Sequence, residues 1–301
     1  FTAHLALKYG YSLFKIGKRT ETLKSGEPRM RKFGYGVYYQ NISINDAKKK
    51  NNVLITAIDK NYYQHLSAFK DDTSIVIHDP TEVKSKSCKP VLDVLDRFNV
   101  FTIRHTVYEF LKEKYDIESE FKVHPFYEYP INKQDKTGAV AISRIDFDKH
   151  TEIILRANNN LPKERTIDIY GAKNDRYVYF KLDQDHALDF VKYYKGTFKK
   201  SFEELDKILS NAKYVVDLSA IKNDGGGSQY TFLEAIHQGC VLILNKDWIH
   251  KTPSIFKDKI NCFFVEDEVQ LTKLLSGNPR NINKILKNSK KLLKPHIEVV
   301  W

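Results

Sequence analysis

Short runs rich in Val, Ile, Leu and Phe recur at residues 53–58, 74–77, 101–103, 139–142, 166–170, 190–194, 213–218, 240–244 and 262–265. Runs this brief, apolar at nearly every position, fit strands buried on both faces of a parallel sheet. Between them, residues 106–115, 201–210, 230–238 and 266–275, and a stretch ending at Asn158, place apolar side chains every three or four positions. That is the period of a helix with one buried face. Glu203 and Glu204 open the 201–210 stretch, where a helix dipole favours acids. Strand and helix alternate twice, so the pattern predicts an α/β chain with two Rossmann-like domains, each around its own parallel sheet, facing each other across a cleft.

Pro125, Pro130 and the polar, glycine-closed segment 132–138 interrupt the alternation. The expected domains are residues 1–132 and 133–278. Residues 280–294 form a basic amphipathic helix with Ile282, Ile285, Leu286, Leu292 and Leu293 near one face, so residues 279–301 are expected to pack back toward the first domain. The chain opens on a helical stretch, residues 1–9, closed by Gly10 and followed by a strand at 11–16. A parallel crossover needs a strand before its helix, so an earlier strand and turn are expected ahead of Phe1.

Composition narrows the class. The chain has 301 residues, 42% of them hydrophobic, enough for two domains with cores of their own. No apolar run approaches the ~20 residues of a membrane span, and no signal-peptide pattern opens the chain. Cys88, Cys240 and Cys262 lack metal-ligand spacing and read as reduced core residues, which points to the cytoplasm. Charge is uneven: the first fifty residues hold eleven Lys/Arg and three Asp/Glu, in a chain of net charge +11. Within residues 18–39, Lys24, Arg29, Arg31 and Lys32 alternate with Phe33, Tyr35, Tyr38 and Tyr39. Cations among flat rings suit a phosphate backbone and exposed bases, and equally a loop over a sugar acceptor or an edge hairpin with no such role.

The most informative stretch is 213–244. It reads as strand, a loop holding Gly225, Gly226 and Gly227, a helix from Tyr230, then strand. Glycines ahead of a helix let a ligand approach the backbone, and the N–H groups and dipole of the helix favour phosphate. Glu234, about one turn in, is placed to accept hydrogen bonds from sugar hydroxyls. Upstream, Arg144 and Lys149 follow the end of the 139–142 strand, where two cations could neutralise a diphosphate. His78 and Asp79 follow the 74–77 strand, at the carboxyl end where open α/β sheets bind ligands. A nicotinamide enzyme is disfavoured, because no Gly-x-Gly-x-x-Gly follows a strand.

Taken together, these motifs resemble the retaining nucleotide-sugar glycosyltransferases of the GT-B fold. Arg144-Ile-Asp-Phe-Asp-Lys149 looks like their Arg-x4-Lys phosphate motif. Asp217-Leu-Ser219, the three glycines and Leu233-Glu-Ala-Ile-His-Gln-Gly239 look like their carboxy-terminal donor motif. The resemblance implies His78, Arg144, Lys149 and Glu234 as catalytic-site residues. It implies donor contacts from Asp79, Ser143, Tyr170, Gly171, Ser219, Asp224, Gly225, Gly226, Gly227, Ser228, Gln229, Tyr230 and Thr231. Glu234 would hold the ribose and His78 the hexose of a UDP-sugar, with UDP-glucose expected and no metal required. Within that group the Ser228-Gln-Tyr-Thr-Phe-Leu-Glu-Ala run looks closest to DNA α-glucosyltransferases of T-even phages, which act on hydroxymethylcytosine. That implies duplex DNA as acceptor and Lys24, Arg29, Arg31, Lys32 and Tyr35 as its contacts. One departure stands out: the family pairs two glutamates eight residues apart, and eight before Glu234 stands Gly226, with Asp224 the nearest acid.

Overall fold

The computed structural model describes residues 1–58, 60–84, 86–220, 229–246, 255–277 and 279–301. The chain divides into two units, Phe1–Tyr127 with Glu298–Trp301, and Glu128–Ile297.

The first unit opens with α1 (Thr2–Tyr9), which buries Ala3, Leu5 and Ala6 and is closed by Gly10 in the left-handed conformation (φ 72°). Strands β1 (Leu13–Ile16), β2 (Met30–Gly34) and β3 (Val37–Ile42) form a small sheet in the order β1-β3-β2, with β1 parallel and β2 antiparallel to β3. A short helix α2 (Ile44–Ala47) follows, capped by the Ser43 hydroxyl, which accepts from the Asp46 N–H. A second sheet is wholly parallel, ordered β4 (Leu54–Ile55), β5 (Ser74–Ile77), β6 (Asn99–Thr102) and β7 (Glu120–Phe121). Ile75, Val76 and Ile77 of β5 are completely buried. Around them pack α3 (Thr81–Lys84), α4 (Lys89–Leu95) and α5 (His105–Tyr115) through Val83, Val91, Val94, Val107 and Leu111. The tail returns to this unit: the Trp301 indole donates to Val123 O (3.1 Å), and its ring meets Phe1 and Phe101 at centroid distances of 5.1 and 5.6 Å.

The second unit is built on six parallel strands: β8 (Gly138–Ile142), β9 (Ile167–Tyr170), β10 (Tyr194–Gly196), β11 (Ala212–Asp217), β12 (Val241–Asn245) and β13 (Phe263–Val265). Their order is β10-β9-β8-β11-β12-β13. The chain thus winds outward from β8, returns to lay β11 on the other side of β8, and winds outward again. Helices α6 (Thr151–Asn160), α7 (Phe202–Leu209), α8 (Gln229–His237), α9 (Glu268–Ser276) and α10 (Ile282–Glu298) accompany the strands. Ser201 and Asp267 cap α7 and α9 by accepting the Glu204 and Gln270 N–H groups.

Two expectations shift, and one element goes unanticipated. The 53–58 run gives only the two-residue β4. The 190–194 run is a turn, not a strand: Phe190 O accepts from both Tyr193 N (3.2 Å) and Tyr194 N (3.1 Å), so Phe190 and Tyr193 are buried as turn anchors while β10 starts at Tyr194. Residues Tyr177–Asp185 form a π-helix, in which buried Tyr177 and Leu182 stand five apart and share a face. A search for spacings of three and four passes over that element.

Candidate functional site

The strand order of the second unit reverses between β8 and β11. At such a switch point the connections leave in opposite directions, and the carboxyl ends of the two strands frame a crevice where α/β folds take ligands. Ser143–Lys149 follows β8 there, and Leu218–Ser219 follows β11. Lys149 Nζ donates to Ser219 Oγ (3.0 Å), and Ala220 N donates to Asp148 O (2.8 Å), so the two strand ends are stitched together. Lys149 is 9% exposed, an uncommon depth for a lysine. Asp217 Oδ1 accepts from Ser219 N (2.8 Å), while its buried Oδ2 has no hydrogen-bond partner among the described residues.

The turn carrying the cations is fixed from several sides. Ser143 N donates to Tyr170 O (3.2 Å) and Ile145 N to Ala172 O (2.9 Å). Asp146 accepts from Asn174 Nδ2 (2.9 Å) and Phe147 N (2.9 Å), which hold its carboxyl below the usual range. Arg144 is exposed and lies 3.3 Å from Asp146 and 3.7 Å from Asp148, and Lys149 is 3.4 Å from Asp148. Both cations therefore sit in a collar of two aspartates. Behind the turn, Glu152 accepts from Tyr177 Oη (2.6 Å) and lies 3.1 Å from His150 Nδ1, so the π-helix braces the start of α6. Burial alone would raise the Glu152 carboxyl, but these hydrogen bonds outweigh it and hold it at about 2.

Gly171 has no steric latitude. At φ 142° it crosses the turn so closely that a Cβ there would stand 1.7 Å from Ser143 O. Tyr170 just before it is half-buried, its phenol raised by burial, and Tyr194 Oη donates to Gly171 O (2.8 Å). On α8, Thr231 Oγ1 donates to Ile142 O (3.3 Å), which ties the helix to the end of β8. Glu234 is 8% exposed, and burial pushes its carboxyl up to about 8. Tyr230 is half-buried.

The structure thus brings Ser143, Arg144, Lys149, Tyr170, Gly171, Ser219 and Thr231 to neighbouring strand ends, with Tyr230 and Glu234 on the helix tied to them. Asp224, Gly225, Gly226, Gly227 and Ser228 lie outside the described residues, and Gln229 is described in its backbone alone.

His78 and Asp79 belong to the first unit, at the carboxyl end of β5. His78 Nε2 lies 2.8 Å from Thr56 O, and burial lowers the ring's pKa. Glu82, not singled out from the sequence, accepts from His78 N (2.7 Å) and Asp79 N (3.4 Å), and burial raises its carboxyl. Burial acts on Asp79 in the same sense, yet the Thr81 donors and Arg104 leave its carboxyl below the usual range. An acid three or four residues after a strand-end histidine, in the first turn of a helix, was the available signal for Glu82. Asn174 had none, since its partner Asp146 is 28 residues away.

The basic segment forms the β2–β3 hairpin, with Tyr35 in its turn at φ 55°. Lys24, Arg29, Arg31 and Lys32 are exposed. Arg31 and Lys32 are consecutive on β2 and so point to opposite faces of the sheet. Arg31 is clamped on Glu21 by two hydrogen bonds of 2.7 and 3.0 Å. The five proposed acceptor contacts therefore do not share one sheet face. Among the described residues, no three His, Cys, Asp or Glu side chains converge as a metal site would require.

No protein-family model matches the chain, and no curated protein does. Solved structures do. HepE from Anabaena, in complex with UDP and glucose, is 13% identical over 84% of this chain and 76% of its own, with a TM-score of 0.62. The pneumococcal O-GlcNAc transferase GtfA, in complex with UDP and GlcNAc, is 16% identical over 92% of this chain and 63% of its own, with a TM-score of 0.55. TarM of S. aureus is 17% identical over 87% of this chain and 56% of its own, with a TM-score of 0.59. The chain spans less than two thirds of the last two. Its two sets of parallel strands with their helices have the α/β GT-B fold of these glycosyltransferases.

Proposed function

We propose that this protein is a retaining glycosyltransferase that moves a hexose from a UDP-sugar to an acceptor hydroxyl. The observation that carries the reading is the junction of β8 and β11, where buried Lys149 bridges to Ser219 and shares Asp148 as an ion-pair partner with Arg144. A diphosphate there would take the place of the aspartate collar as partner of two cations already in position. UDP-complexed HepE and GtfA share the fold and support a UDP-sugar donor, and HepE with glucose supports glucose as the sugar.

Arg144 and Lys149 would stabilise the charge that builds on the departing UDP. Fixed charges aimed at developing charge are worth several kcal/mol in a closed site. Glu234 would accept from the ribose hydroxyls, and His78 would orient the hexose. The anomeric carbon becomes oxocarbenium-like, and the acceptor oxygen enters on the face that UDP leaves. The leaving phosphate can take the acceptor's proton, so the reading invokes no side-chain nucleophile and no metal ion.

For the acceptor we propose a hydroxymethylated pyrimidine in duplex DNA. The sequence around Ser228–Ala235 and the +8 charge of the first fifty residues support it. A glycan, lipid or protein acceptor is the alternative within the class. A nucleic-acid binder without transferase activity is the alternative outside it, favoured only by that basic segment.

Calorimetric titration with UDP, followed by a transfer assay from UDP-glucose to hydroxymethylated duplex, tests the proposal. Wild-type protein should bind UDP, and Arg144→Ala should cut turnover by about 100-fold or more with Tm unchanged. Absence of UDP binding removes the enzyme. Transfer with inversion at the anomeric carbon, read by NMR, removes the retaining mechanism.

A further inference from the structure

Helix α10 presents a face that the donor site does not use. Its buried residues are Ile285, Ser289, Leu293 and His296, and Ile285 joins the core of the second unit. At 100° per residue, Lys284, Lys287, Lys291 and Lys294 fall within an arc of about 80°, directly opposite that buried stripe. All four are exposed, and Lys290 flanks them. From Lys284 to Lys294 the row runs about 15 Å along the axis.

Several exposed lysines on other helices have acidic neighbours. Lys89 pairs with Asp93, Lys112 with Asp116, Lys181 with Asp185, and Lys207 with Glu203 and Glu204, all at helical spacing. On α10 the arrangement is different. The helix holds five lysines and a single acid, Glu298, its last residue and four positions after Lys294, with Arg280 just ahead of it. Among the described residues, Lys284, Lys287 and Lys291 have no acid within the 4.0 Å of an ion pair. Lysines three and four apart repel one another, so the helix retains a row that costs it stability. Apart from residues 1–50 and 280–297, the remaining 233 residues carry a net charge of −3. The positive charge is therefore segregated and not a uniform coating.

The geometry points to a partner, and we propose that the outer face of α10 docks the sugar-phosphate backbone of duplex DNA. This rests on the reading of DNA as the acceptor. An amphipathic helix lying in a lipid surface buries its apolar side chains there, but on α10 the apolar side chains face the protein core. What remains outside is mainly a row of point charges, with exposed Asn283 and Pro295 at its edges and Glu298 at its end. Such a row matches closely spaced phosphates and reads no base.

The test compares the full wild-type chain with the triple variant Lys284→Gln, Lys287→Gln, Lys291→Gln and with its charge-keeping counterpart, in which the same three positions become Arg. Anisotropy of a labelled unmodified duplex, followed between about 50 and 200 mM salt, gives the slope of log Kobs against log salt. Three lost phosphate contacts should make the slope shallower by about 2.7 in the Gln variant, with wild-type slope kept in the Arg variant. UDP affinity by calorimetry should be the same in all three proteins, which shows that the fold is intact. An unchanged slope in the Gln variant overturns the α10 proposal and leaves DNA as acceptor standing. Failure of wild-type protein to bind duplex, with UDP binding retained, overturns both. Salt-dependent binding to phosphatidylserine vesicles without binding to duplex assigns the face to a membrane and also overturns the proposal.

Discussion

Gly171 and Glu234 are two positions at which a single substitution tests the site directly. A methyl group on Gly171 would overlap Ser143 O at 1.7 Å, and φ 142° is disfavoured for any L side chain. Gly171→Ala should therefore cost about 2 kcal/mol or more, measured as a fall in urea midpoint, and should weaken UDP binding because the turn it displaces carries Arg144. Glu234 makes a pH-dependent prediction. Its unfolded carboxyl titrates near the ordinary 4.5, and burial raises the folded value to about 8. The proton-bound form is favoured in the native state, so this contribution is full below about pH 4.5 and is lost as pH rises through about 8. Glu234→Gln should flatten the corresponding fall in Tm. If ribose hydroxyls bind the ionised carboxylate, UDP binding near neutral pH should release a proton. The binding heat should then vary with the ionisation enthalpy of the buffer in the wild type and not in Glu234→Gln.

Between elements, the turn from β8 to α6 is held by partners distant in sequence. Asn174 bonds the Asp146 side chain and, through its backbone N–H, Ile145 O (2.9 Å). Loss of a hydrogen bond of this kind costs about 1 kcal/mol, so Asn174→Ala should weaken UDP binding roughly fivefold, read by calorimetry. This turn also shows where the sequence is informative. Arg144, Lys149, Ser219 and Glu234 stood out because strand-end and helix-start positions follow from local apolar patterning. Lys149 and Ser219, 70 residues apart, meet because the chain doubles back and lays β11 beside β8, an order that the alternation of strands and helices does not fix. Asn174 was silent, because its role depends on which groups the tertiary fold leaves for it, whereas Glu82 carried a local signal that was not used. The Tyr177–Asp185 π-helix was silent for another reason: its five-residue repeat is not one that helical patterning looks for. In the basic hairpin, composition named the charged residues but not their faces, and β-pleating then separated Arg31 from Lys32.

For the molecule as a whole, two units with separate cores should respond separately to change. Trp301 belongs to the first, through Val123 O and the rings of Phe1 and Phe101. Trp301→Ala should lower the stability of that unit by about 2 kcal/mol, less than a fully buried aromatic would lose, while UDP affinity stays at its wild-type value. Differential scanning calorimetry with and without UDP separates the two effects: UDP should raise the transition of the second unit alone, by about 2.7 kcal/mol when present at 100 times its Kd. The doubling back of the chain between β8 and β11 has a wider consequence. A fork made by the winding of the main chain does not depend on which side chains fill the strands, provided they stay apolar. Substitution can then run far through the sequence while the address of the ligand pocket is passed on unchanged. That is how a polypeptide 13–17% identical to HepE, GtfA and TarM can still superimpose on them.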